Sequence, residues 1–166
     1  MAEEQPTPEA AAGRPQVEFS LARIYLKDLS FEVPQGAEGF RRQWKPKVGQ
    51  ELATRIKKLE GDHYEVALAL TVSVKDGEET LYLVEVEQAG IFLVRGLEGD
   101  QLAAVLNVQC PQILFPYARE LVDNLVVRGT FPPLMLPPIN FEAVYRQALA
   151  NARAQQGAGS AGQASA

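Results

Sequence analysis

Of the side chains that most often carry nucleophilic or acid–base chemistry, this 166-residue sequence has one histidine and one cysteine. His63 follows a Gly61-Asp62 turn with no nucleophile motif around it, so it reads as a surface residue rather than a general base. Cys110 precedes Pro111 in an apolar stretch and reads as a buried, structural thiol. No cysteine–histidine set has metal-ligand spacing, and no glycine-rich loop between a strand and a helix could cradle phosphate. The expectation is a chain that performs no catalysis and carries no metal or other cofactor.

The informative residues form surfaces. Asp28, Ser30 and Glu32 are spaced by two and share one face of a strand; Glu85 and Glu87 do the same beside Leu81 and Leu83. Two readings stand: a solvated sheet face, or an acidic docking patch with an apolar anchor that attracts a basic segment. The segment TFPPLMLPP, Thr130 to Pro138, holds four prolines, which impose an extended backbone on Phe131, Leu134, Met135 and Leu136. It either packs over the core or walls an apolar groove, and methionine suits varied apolar partners. Trp44, in RRQWKPK, is core or groove floor.

These surfaces need elements to hold them. From Val17 to Val33 apolar residues alternate, but Ile24 and Leu26 break parity, which points to a bulge or a two-sided strand. Gln50 to Leu59 forms a second strand. Tyr64 to Lys75, a turn at Asp76-Gly77 and a run continuing to Gln88 make a hairpin in which Tyr82, Val84 and Val86 share a face. Thereafter the period becomes helical. Asp100 caps a short helix ending near Gln109, Pro111 opens a longer one that Gly129 stops, and Pro116 bends it or delays its start. Asn140 caps a last helix with Phe141, Val144, Tyr145, Ala148 and Leu149 on one stripe. Strands followed by helices predict an α+β fold: a four-stranded antiparallel sheet with helices packed on one face and the other face open.

Composition narrows the partners. The net charge of −5 argues against nucleic acid, and no apolar run reaches the length needed to cross a bilayer. The start, with three glutamates and three prolines in its first fifteen residues, lacks a secretory pattern. Residues 1–16 read as a disordered acidic arm, 17–154 as one domain, and 155–166 as a flexible neutral tail. With a single cysteine, a reducing cytoplasm fits best.

Four segments, RIYLKDLSFEVP (Arg23 to Pro34), EVEQAGIF (Glu85 to Phe92), CPQILFPYARE (Cys110 to Glu120) and GTFPPLMLPPINFEAVY (Gly129 to Tyr145), resemble the SecB family of bacterial export chaperones. The resemblance implies a dimer of dimers that binds unfolded precursor proteins without ATP and delivers them to SecA, the translocation ATPase. It implies that Asp28, Glu32, Leu83 and Glu85 dock a basic, zinc-binding tail of SecA, the metal being the partner's. It implies a client groove drawing on Trp44, Phe131, Leu134, Met135, Leu136, Phe141 and Tyr145, and a packing and subunit-association role for Val84, Val86 and Gln88. The neutral tail departs from the acidic or polar ending common in the family, which confines expected SecA contact to the sheet. The rivals are an adaptor that only docks a basic partner and a small-molecule binder or enzyme using the groove.

Overall fold

In this computed structural model the described residues are 16–161, with side chains described through residue 155. Residues 1–15 of the expected arm and 162–166 of the expected tail lie outside them.

Strict alternation from Tyr64 to Val74 places one apolar row inward, and it forms the centre of strand β3 (His63–Asp76). A two-residue turn at Gly77-Glu78 leads to β4 (Glu79–Arg95), which runs past the expected end at Gln88. Ala89 and Gly90 interrupt the large apolar residues without interrupting the strand. A Cβ at Gly90 would lie 2.8 Å from the Phe92 ring and 3.1 Å from Leu114 of the overlying helix, so the small residue lets the helix approach the sheet.

Outer strands β1 (Glu18–Glu32) and β2 (Lys47–Lys58) pair with β4 and β3. The sheet is antiparallel throughout, in the order β1-β4-β3-β2. The parity break in β1 resolves as two irregularities, between Leu21 and Arg23 and between Leu26 and Asp28. Each inserts one residue, so Phe19, Leu21, Ile24, Leu26, Leu29 and Phe31 all align with inward positions of β4.

After β4 the chain is helical from Gly99 to Arg128: α2 (Gly99–Ala104), a π turn (Val105–Gln109) and α3 (Cys110–Arg128). Pro111 has no N–H to offer the carbonyl four residues back, and the π turn sits where that bond is lost. The N-cap of α2 is Glu98, not Asp100, which lies in the first turn. Pro116 neither delays nor breaks α3. A single-turn α1 (Gly36–Gly39) follows β1, and α4 (Phe141–Ala161) begins where Asn140 Oδ1 accepts from the Ala143 N–H at 3.0 Å. It continues into the span expected as tail. No helix among the described residues is long and apolar enough to cross a membrane.

α3 lies over β3 and β4, sealing Val66, Leu68, Leu70, Val84, Phe92, Leu114 and Val122 between the layers. Its width leaves the flanking strands uncovered: Phe19, Leu21, Leu26 and Leu29 on β1, with Val48 and Ile56 on β2, remain exposed on the helix side.

Candidate binding surfaces

The open face is built by strand parity. Across the sheet run a row Glu32–Leu83–Ser73, a row Ser30–Glu85–Thr71–Glu51, and a row Asp28–Glu87–Ala69. Asp28, Glu32, Leu83 and Glu85 are therefore brought together as the sequence predicts, with Leu83 half-buried among carboxylates. Glu51 on β2 extends the patch by two strand spacings, about 10 Å.

Charge is unevenly compensated on this face. Arg55 holds Glu87 at 3.0 Å, and Lys27 holds Glu65 at 2.6 Å. Asp28, Glu32, Glu51 and Glu85 are in no ion pair among the described residues; Glu85 accepts from Ser30 Oγ at 3.2 Å, and Asp28 from the Leu29 N–H. One end is thus neutralised, while at the other the carboxylates stand without ion-pair partners among the described residues, with Lys47 and Lys75 at the margin of the same face. A depression of about 160 Å³ opens between them, lined by Asp28, Arg55, Thr71, Glu85 and Glu87. At the neutralised end the Glu65 carboxyl is held below the usual glutamate range by the hydrogen bonds from Lys27 and then Tyr25, and desolvation followed by Glu65 pushes the Tyr25 phenol up to about 12.

Leu81, expected beside Leu83, is not on this face. Val74 pairs with Tyr82 but Lys75 with Thr80, so Leu81 is an extra residue in β4. The bulge turns it inward, where it is buried in the floor of a second site.

That site is an apolar cleft of about 170 Å³ on the helix side. Trp44, Phe131 and Leu134 line it, above Leu81 and Tyr82. Trp44 donates its indole N–H to the Gly39 carbonyl, fixing the ring, and Phe131 packs in tilted contact 5.3 Å from Trp44 and 4.6 Å from Tyr82, centroid to centroid. Burial, then the carboxylate of Asp123, pushes the Tyr82 phenol up to about 12. Phe40, which sequence reasoning passed over, lies 5.1 Å from Phe131 and stays exposed at the rim. Its one signal was its spacing of four from Trp44 through a charged segment.

The remaining groove residues go elsewhere. Leu136 and Phe141 are core, the latter packed edge-on to Phe115 at 5.9 Å. Met135 is 74% exposed and lines a separate, more polar depression with Arg119 and Pro138. Tyr145 is half-buried on α4 and lines no part of the cleft. The prolines of the loop exclude regular structure, but the direction of each side chain depends on contacts distant in sequence.

Val84 and Val86 pack under α3 with 0% and 3% of their surface exposed, and Gln88 donates to the Tyr25 carbonyl at 2.9 Å. Their packing partners are found within one chain. Cys110 is fully buried, and loss of hydration pushes its thiol up to about 12, as suits an unreactive structural cysteine. His63 is the first residue of β3, with Nδ1 3.3 Å from the Glu60 carbonyl.

The family model for SecB, the preprotein translocase subunit, matches residues 12–152. A protein-export protein SecB of Ectopseudomonas mendocina is 54% identical over 149 residues, covering 90% of this chain and 92% of the relative. The SecB protein of Azotobacter vinelandii is 53% identical over 153 residues, covering 92% and 94%. Among solved structures, a SecB-like chaperone of Mycobacterium tuberculosis, bound to a peptide of the HigA1 antitoxin, matches with a TM-score of 0.59 at 16% identity, covering 73% of this chain and 90% of that one. The chain belongs to the SecB family of protein-export proteins.

Proposed function

We propose that this chain is an ATP-independent export chaperone that works by binding rather than by catalysis. Unfolded precursor proteins lay apolar and aromatic side chains into the cleft of Trp44, Phe131 and Leu134, with Phe40 at the rim. Each Å² of apolar surface buried there contributes about 25 cal/mol. The acidic end of the open face, Asp28, Glu32, Leu83 and Glu85, docks the basic zinc-binding tail of SecA, which then takes the client. The observation that carries this reading is family membership across residues 12–152 together with an aromatic cleft open on the helix side.

The uncovered apolar residues of β1 and β2 support assembly into a dimer of dimers, and the single cysteine suits the reducing cytoplasm proposed as its compartment. Linked clefts would let one long client engage several at once, an avidity that a folded protein cannot gain.

The test replaces Phe40 with Ser and Leu134 with Gln, both outside the fully buried core, and follows aggregation of a reduced, unfolded precursor. Client affinity should fall at least tenfold, equivalent to about 60 Å² less apolar burial. SecA docking should be unchanged. Undiminished suppression of aggregation would remove the cleft from the mechanism.

A further inference from the structure

The loop that carries Phe131 and Leu134 is pinned on either side by the buried Phe131 and Leu136 side chains, with Arg119 donating to the Leu136 carbonyl at 3.5 Å, but its backbone between them has few partners. Pro132, Pro133, Pro137 and Pro138 have no N–H to donate. The Thr130 and Phe131 amides are used at the end of α3, donating to the Val127 and Val126 carbonyls. In the middle of the loop, Oδ1 of Asp123 on α3 accepts from the Leu134 N–H at 3.0 Å and from the Met135 N–H at 3.1 Å.

Consecutive amides converging on one anion form a nest, a geometry that a left-handed residue creates, and Met135 supplies it with a φ of 50°. That conformation is unfavourable for a methionine and is held by the carboxylate. Its consequence is directional. Leu134 faces the aromatic cleft while Met135 stands out on the far side of the loop.

We infer that Asp123 is a positioning residue for client binding, fixing the loop so that Leu134 walls the cleft before any client arrives. This rests on the chaperone reading above. Without the clamp the loop samples several positions, and if the competent one falls to a tenth of the molecules, apparent client affinity falls about tenfold.

The experiment uses the full chain with two peptides: an extended apolar-aromatic one for the cleft, read through Trp44, the single tryptophan, and a basic one for the acidic face. Amide hydrogen exchange at Leu134 and Met135 is measured alongside. In the wild type both amides should exchange slowly. Asp123→Ala should free them and raise the apolar peptide's Kd about tenfold, leave the basic peptide's Kd unchanged, and be largely rescued by Asp123→Asn, which keeps an acceptor oxygen. The inference is overturned if Asp123→Ala binds the apolar peptide as tightly as the wild type, or if both peptides lose affinity together. Fast wild-type exchange at both amides overturns it without any variant. A wild type that does not bind the apolar peptide counts against the chaperone reading and removes the client role of Asp123 with it, while amide exchange still reports whether the clamp exists.

Discussion

Glu65 accepts hydrogen bonds from Lys27 and Tyr25, and its folded pKa is lowered as a result. A depressed carboxyl stabilises the fold above its unfolded pKa, and that contribution is lost as pH falls through the folded value. Denaturant unfolding across the acid range should therefore show Glu65→Gln with a flatter decline than the wild type. The Tyr25 phenol, raised to about 12 chiefly by desolvation and then by Glu65, works in the opposite direction. It stabilises below the ordinary tyrosine range near 10 and that effect is lost as pH rises toward 12. In Glu65→Gln, tyrosinate absorbance should place the Tyr25 phenol lower but still above 10, since desolvation persists. The sequence showed that Asp28, Ser30 and Glu32 share a face, because a strand's period of two is a local property. It did not show which carboxylates are neutralised, since Lys27–Glu65 and Arg55–Glu87 join residues 38 and 32 positions apart.

At the scale of elements, α3 stops at Gly129 as expected, but the left-handed residue of its cap lies one position later. Gly129 is the expected stop, yet its φ of −74° is not left-handed; Thr130 turns at 63°, and the Thr130 and Phe131 amides close a Schellman motif. Gly129 is small for another reason: a Cβ there would lie 2.5 Å from the Phe31 ring. Gly129→Ala should cost about 1–3 kcal/mol by overpacking, whereas Thr130→Gly should stabilise by roughly 1 kcal/mol by relieving the left-handed threonine. Urea unfolding of both variants checks the pair, and the reverse order of stabilities would contradict it. The β3–β4 hairpin was legible from alternation and a turn, and the loop and Trp44 were legible as cleft candidates. The Leu81 bulge, the rim position of Phe40 and the burial of Leu136 and Phe141 were not, because each is decided by a partner in another element.

For the whole molecule, the two proposed binding surfaces lie on opposite sides of one sheet, so a client and SecA need not compete for the same side chains. Asp28→Lys with Glu85→Lys should weaken SecA docking, more at low salt than at high salt, because these exposed charges act over a Debye length of about 10 Å at 0.1 M. Client binding in the cleft should be spared, and equal loss of both would contradict the division. The sheet-and-helix architecture was readable from strand and helix periodicity, and the family from four ordered motifs distributed between Arg23 and Tyr145. The uncovered apolar strips on β1 and β2 were not, because they depend on how far α3 reaches across the sheet. The most direct test of the proposed function is a calorimetric titration, without nucleotide, of the full chain with one precursor in its reduced unfolded and its native folded forms. Saturable binding of the unfolded form alone is the expected result. Binding both forms equally, or neither, would contradict it.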